Sequence, residues 1–324
     1  TECAPSYDWP AMPARVVELE PLPRDPLALL AHPNICSRRW VYRQYDQTVQ
    51  AATAATDQAD AALVLLPGGK RAIALCTDGN VRHDDPYLAG ALAVAEAARN
   101  VSCTGATPIA LTNCLNFGSP ERPEGAWQLR EAIRGLADAA RALDVPVISG
   151  NVSLYNESDG GAIRPTPVVG MLGLLEDVSK RRGIAFKREG DAIVLLGPPS
   201  GALDLEVEAR VQRAVREAIG RGLVHSAHDC SEGGLFVALA ECCLQGNIGA
   251  AVEARLDYFD ESPSRIVVST DQPDGLRGLG VQVNVLGTVV GQRLMIAGVG
   301  DLALADMRAA YEGGLERALA GGER

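Results

Sequence analysis

Aromatic side chains are scarce, at 4% of 324 residues, so the core has to be assembled mainly from Ala, Val, Leu and Ile. Histidine is scarcer still, with four in the whole chain, and no HExxH or GxSxG string occurs. That excludes the helical zinc-protease site and the nucleophile elbow. Neither GxxxxGK[ST] nor a strand-borne GxGxxG is present, so any ATP site must be built without the two common phosphate fingerprints. The eight cysteines (Cys3, Cys36, Cys76, Cys103, Cys114, Cys230, Cys242 and Cys243) form no CxxC pair, and several sit inside apolar runs as small hydrophobes. A metal cluster or disulfide framework is not expected, and a reducing cytoplasm fits this usage. No apolar run reaches the length of about 18 residues that a membrane span requires, and no secretory signal is visible. Basic residues are outnumbered 30 to 41, for a net charge of −11. A polymer-binding nucleic-acid protein needs the opposite balance. A nucleotide ligand stays open, because a metal ion can bring the positive charge locally.

What the chain does have is 34 glycines and an alternation of strand-like and helix-like segments. A Pro-rich stretch from Pro5 to Pro26 carries six prolines and reads as a linker cut from something longer. Strands are expected at Ala72–Cys76, Pro108–Thr112, Val145–Ser149 and Val168–Leu174, with helices at Pro86–Val101 and through Leu129, Ile133, Leu136, Ala140 and Leu143. The basic run Lys180-Arg181-Arg182-Gly183 reads as a surface connection, which places a boundary near 178–188. Beyond it come strands at Ala192–Leu196, Val224–Ala227, Ala250–Ala254, Arg265–Ser269, Val281–Val290 and Leu294–Ala297. Helices are expected at Leu205–Ile219 and Leu235–Leu244, with a closing helix over Asp301–Ala320. The expected organisation is a linker at 1–30 and two mixed α/β domains at 31–178 and 188–320, sheets covered by helices.

Three of the expected strands run into polar, Gly-containing strings: Thr77-Asp78-Gly79-Asn80, Asn113 to Gly118, and Gly150-Asn151-Val152-Ser153. If the strands share a sheet and direction, these strings meet at its carboxyl edge, where open α/β sheets bind ligands. Asp and Asn offer hard oxygens to Mg²⁺, and Gly lets backbone N–H groups approach phosphate. Each string is also an ordinary turn composition, and most such turns bind nothing. Asp229-Cys-Ser-Glu-Gly-Gly234 precedes a helix; capping by Asp229 or Ser231 competes there with an anion or metal site, and capping is favoured. His83, His225 and His228 have no nucleophile beside them and read as structural.

Longer strings carry a resemblance. Asn34-Ile-Cys-Ser-Arg-Arg-Trp-Val-Tyr-Arg-Gln-Tyr-Asp46, Asn113-Cys-Leu-Asn-Phe-Gly-Ser-Pro120, Ser149-Gly-Asn-Val-Ser-Leu-Tyr-Asn-Glu157 and Pro165-Thr-Pro-Val-Val-Gly170 resemble the second half of the synthetase subunit of the phosphoribosylformylglycinamidine synthase family. Asp85-Pro-Tyr87, Val94–Val101 and the Asp229–Gly234 string fit the same place. The resemblance implies an aminoimidazole-ribonucleotide-synthetase-like unit, with an N-terminal α/β domain that pairs into a sheet barrel and a C-terminal α/β sandwich. It implies an ATP-dependent ligase in purine biosynthesis that turns formylglycinamide ribonucleotide and glutamine-derived ammonia into formylglycinamidine ribonucleotide, ADP and phosphate.

Carried over by position, ATP contacts fall at Asn113 and Gly150, a Mg²⁺ ligand at Asn151 and a substrate contact at Ser153. Asp78 and Asp229 are candidates for an auxiliary site. Asn113 stands where the family string often has Asp. No catalytic residue is assigned, because the family's histidine string is replaced by Tyr42-Arg43-Gln44-Tyr45, whose amide does not titrate. Expected partners are the N-terminal half of the synthetase, a glutaminase subunit or domain and a small accessory subunit, with a homodimer when the chain is isolated. The competing readings are a non-catalytic nucleotide-binding scaffold and a selenide- or thiamine-phosphate-handling kinase.

Overall fold

The computed structural model describes residues 21–55, 58–79, 85–158 and 161–321. In chain order the elements are α1 (Pro26–Ala31), α2 (Arg39–Tyr42), β1 (Thr53–Ala55), β2 (Ala62–Leu65), β3 (Ala72–Asp78), α3 (Pro86–Cys103), β4 (Thr107–Asn116), α4 (Pro123–Ala142) and β5 (Val147–Ser153). They continue with β6 (Glu157–Ser158), β7 (Gly161–Ala162), β8 (Thr166–Leu175), β9 (Ala192–Leu196), α5 (Leu205–Gly220), β10 (Ser226–Asp229) and α6 (Gly234–Gly246). The last are β11 (Ala250–Val252), β12 (Ile266–Thr270), β13 (Val283–Val289), β14 (Arg293–Ile296), β15 (Gly300–Ala303) and α7 (Leu304–Gly321). The architecture is mixed α/β, as the periodicities imply. Two compact units form: one holds Thr77–Ala97 and Ile109–Met171, the other Glu20–Cys76, Ala98–Pro108 and Leu172–Arg324.

One sheet has the strand order β1-β2-β3-β8-β4-β5. Strand directions follow from its contacts. The Val178 N–H donates to the Lys70 carbonyl while Gly79 lies against Val168, so β3 and β8 are antiparallel. The Asn116 side chain donates to the Thr166 carbonyl while Gly170 lies against Thr112, so β8 and β4 are antiparallel too. β4 and β5 are parallel. Hence β3, β4 and β5 all point the same way. On β8, burial alternates strictly: Pro167, Val169, Met171, Gly173 and Leu175 are covered, their neighbours only half so. Helices α3 and α4 cross closely because Gly90 and Gly135 leave room for the Ala132 and Tyr87 carbonyls, where any Cβ would collide.

The second sheet runs β10-β12-β9-β13-β11-β14-β15 and is antiparallel except for β11 beside β14. β9 is buried on both faces, which is why Ala192–Leu196 reads as an unbroken apolar run. Ile193 and Leu195 join the core of α1, α6 and α7, while Val194 and Leu196 join that of α5. Asp204 caps α5 by accepting from the Glu206 and Val207 N–H groups at 2.9 and 3.1 Å.

Several expectations change. Residues 26–31 are no linker: Asp25 caps α1, and its Leu29 and Leu30 are fully buried in the core. The remainder of the expected linker up to residue 20 lies outside the described residues. The closing helix starts three residues late, because Gly300–Ala303 pairs with β14 instead. β4 and β5 do not stop at Asn113 or Gly150; both continue as strand through the polar strings. Their mutual pairing supplies the backbone partners that let Asn and Gly stay extended, overriding their turn preference.

Candidate functional site

The site grows from the β4–β5 pair. Its register sets Asn113 opposite Gly150, Cys114 opposite Asn151 and Asn116 opposite Ser153. Because side chains alternate across a strand, the expected residues divide between two faces. Asn113 and Gly150 share one face. A Cβ on Gly150 would stand 2.6 Å from the Asn113 Oδ1, so the missing side chain is what seats the Asn113 carboxamide. Asn151 and Ser153 share the other face with Cys114 and Asn116. The Asn151 Nδ2 lies 3.5 Å from the Cys114 Sγ, which leaves the Asn151 carboxamide oxygen for another partner. Asn116 donates to the Cys114 and Thr166 carbonyls, both at 3.2 Å, and so ties β4 to β8 on that face.

Ser153 is placed by a residue that sequence reasoning did not single out. Asn156 donates to the Ser153 carbonyl at 2.9 Å and to the Phe117 carbonyl at 3.2 Å, and sits 3.3 Å from the Ser153 hydroxyl. Glu157 accepts from the Ser119 N–H at 3.0 Å and pairs with Arg122 at 3.1 Å. The strings that carry the resemblance contained these residues; the signal that separates them is strand alternation combined with pairing register. Asp78 ends β3, the third strand of the same direction. Asn80 and His83 lie outside the described residues.

Asp229 does not cap a helix. It closes β10, is 3% exposed, and is gripped by the Arg99 guanidinium. Arg99 also bonds Glu208 at 2.9 Å, and Glu208 accepts from Ser264 at 2.6 Å and Gln212 at 2.7 Å. Burial pushes the Asp229 carboxyl up to about 6, against the pull of Arg99. The carboxylate is thus consumed by an internal ion cluster, and α6 starts instead from Gly233 at φ 76°. His228 is equally internal, between Asp60 at 2.7 Å and Glu241 at 2.9 Å. Burial opposes its charge, but the two carboxylates override it and raise its pKa well above the ordinary value. His225 bonds Asp191 at 2.8 Å.

Among the described residues no three His, Cys, Asp or Glu side chains converge to hold a metal, the seven described cysteines are free, and no helix is long and apolar enough to cross a membrane. The donor set at β4–β5 is therefore neutral amide and hydroxyl oxygen. It suits Mg²⁺ shared with phosphates and water, since that ion needs few protein ligands, and does not suit a dedicated transition-metal cage. Its amide and hydroxyl groups carry no charge and do not titrate near neutral pH, so they can position a ligand but not exchange protons.

Comparisons with known proteins agree with this fold. The AIR synthase related protein N-terminal domain matches residues 58–175, and the corresponding C-terminal domain matches 201–299. Phosphoribosylformylglycinamidine synthase subunit PurL of Moorella thermoacetica is 47% identical over 319 residues, covering 87% of this chain and 43% of that protein. T. maritima PurL complexed with ADP superposes with a TM-score of 0.70 at 21% identity, over 88% of this chain and 52% of that one. PurLQS from Thermotoga maritima gives 0.65 at 26% identity, over 90% of this chain and 44% of that one. The chain belongs to the AIR synthase related family, among its phosphoribosylformylglycinamidine synthase subunits, and spans about half the length of the curated relatives it matches.

Proposed function

We propose that this chain is the C-terminal half of an ATP-dependent carbon–nitrogen ligase that makes formylglycinamidine ribonucleotide from formylglycinamide ribonucleotide and ammonia. The reading is supported by relatives of that name at 47% identity and by T. maritima PurL structures complexed with ATP and with FGAR. The observation that carries it is the parallel β4–β5 pair, which concentrates amide, hydroxyl and glycine positions on strands ending at one sheet edge.

In this reading Asn113, seated over Gly150, contacts the nucleotide, and Gly150 lets the backbone approach it closely. Asn151 offers its carboxamide oxygen to Mg²⁺. That ion, when bound, supplies charge neutralisation for the phosphoryl group that activates the amide oxygen of the substrate. A neutral ligand is apt, because it adds no negative charge beside a triphosphate. Ser153, oriented by Asn156, contacts the substrate. Asp78 is held for an auxiliary nucleotide contact; Asp229 is not proposed, because Arg99 occupies it. The chemistry left to this half is positioning and electrostatic stabilisation. A proton-transferring group must come from the partner, proposed to be the N-terminal half. A glutaminase and a small accessory subunit complete the assembly in the cytoplasm. The domain division at 178–188 is retained as part of this proposal.

Substitution of Asn151 by Ala in the complete enzyme tests the assignment. Loss of one electrostatic contact to a transferring group costs about 3 kcal/mol in the transition state, roughly a hundredfold in turnover. The exposed side chain makes no core contact, so the melting temperature should stay close to that of the parent. Near-normal turnover with the same Mg²⁺ dependence as the parent would refute the metal role. A second reading, a nucleotide-holding scaffold without a share in the chemistry, rests on the absence of a titrating group among these strand residues. It expects bound nucleotide that survives turnover unchanged.

A further inference from the structure

The basic run that reads as a surface connection is instead fixed in place. The Arg182 N–H donates to the Thr104 carbonyl at 3.2 Å and its Nε to the Val224 carbonyl at 2.6 Å. The Ile184 N–H reaches the Gln58 carbonyl at 3.0 Å, the Phe186 N–H the Cys242 carbonyl at 3.1 Å, and the Gly183 carbonyl accepts from Ala227 at 3.1 Å. Ile184 and Phe186 are buried, while Arg181, Gly183, Ala185 and Lys187 alternate with them and line an open cavity of about 610 Å³. Arg182 lines it as well. This segment therefore works as an extended wall, apolar behind and cationic at both ends, with a floor of two small residues between Arg181 and Lys187. The Gly183 floor cannot grow, since a Cβ there would strike the Gln58 carbonyl.

Charge makes the cavity unusual in a chain of net charge −11. Arg181 and Arg182 donate to main-chain carbonyls, at Val178, Val224 and Lys180, and neither forms an ion pair among the described residues. Lys187 has no bonded partner among the described residues. Partial burial, then Arg182, Arg181 and Arg188, push the Lys187 pKa down, which records cations held together without neutralisation. Leaving like charges clustered costs stability unless something anionic repays it. The cavity volume lies within the range of small-molecule pockets, about 300–1,000 Å³.

We propose that this cavity, built entirely within one compact unit, is a binding site for a phosphate-bearing anion of nucleotide size, held by Arg181, Arg182 and Lys187 without a metal ion. Guanidinium and ammonium donors bind phosphate oxygens through charge-assisted hydrogen bonds, and the small floor leaves space for the chain of phosphates between them. The site differs in chemistry from the β4–β5 strands, whose neutral oxygens need a cation to hold phosphate.

Calorimetric titration of this 324-residue chain with inorganic tripolyphosphate, in buffer containing a chelator, tests it. The chelator silences any site that depends on a divalent metal. Saturable binding is expected, weakening as salt rises. The Arg181→Ala, Lys187→Ala double variant should weaken it by about tenfold or more, and Lys187→Glu should abolish it. Arg141→Ala removes one positive charge from a surface cation paired with Asp138, and should leave binding unchanged. Melting curves confirm that the variants fold; Lys187→Ala should melt no lower than the parent, because it relieves repulsion. No saturable binding, or equal weakening by Arg141→Ala, would overturn the assignment.

Discussion

His228 shows how a residue can look functional in the sequence and be structural in the fold. Its imidazole bridges Asp60 and Glu241, Glu241 accepts from Tyr311 at 2.5 Å, and Asp60 also accepts from the Asp229 N–H at 2.8 Å. The folded state thus holds the imidazolium form, with its pKa raised above the ordinary value of about 6.5. A raised folded pKa means that the folded state keeps a proton the unfolded chain gives up. The stabilisation is fully present below about pH 6.5 and is lost as pH rises from there through the raised folded value. We expect the free energy of unfolding from urea titrations to fall as pH rises above about 6.5, by up to about 1.4 kcal/mol per pH unit at steepest, and the slope to flatten in His228→Gln. An equal slope in the variant would show that other groups set it. The Arg99–Asp229–Glu208 cluster teaches the same lesson. Its members are 109 and 130 residues apart in sequence, so no local motif could announce that Asp229 already had a partner.

At the scale of elements, periodicity located most of the strands and helices because burial imposes it. β8 alternates, and β9 is apolar throughout because both faces are covered; α4 forms where expected, but it buries Ala132, Gly135, Leu136, Ala139 and Ala140 and leaves Ile133 of the expected stripe 45% exposed. Where the reading stopped short, a long-range partner decided. Asn113 and Gly150 look like strand ends until each is seen opposite the other in a parallel pair. The same pairing explains why the candidate site was legible as a set of residues but not as a geometry: a register of one residue sets which face each occupies. One edge of that sheet is apolar and uncovered among the described residues. β5 ends its sheet order, and its Val147, Ile148 and Val152 are 47%, 67% and 52% exposed. An apolar edge strand of this kind invites pairing. Sedimentation of the isolated chain at roughly tens of micromolar should therefore show self-association, and Ile148→Lys should reduce it. A clean monomer for the parent chain would count against β5 as an interface.

For the whole molecule, the balance is that of a unit with half of a reaction's requirements. Its strands bring together amide and hydroxyl oxygens and backbone space, and His225 and His228 are committed to carboxylates. Gln44, which the resemblance puts in place of a histidine, spends its amide on the Val41 carbonyl at 2.9 Å. Under the proposed function, such a chain holds and orients a nucleotide and relies on a second body for proton transfer. The direct measurement is formation of formylglycinamidine ribonucleotide and ADP from substrate, ATP, Mg²⁺ and ammonia, by the chain alone and then with the N-terminal half supplied in trans. The account predicts no turnover by the chain alone and restored turnover on mixing. Robust turnover by the purified chain without its partner would contradict it.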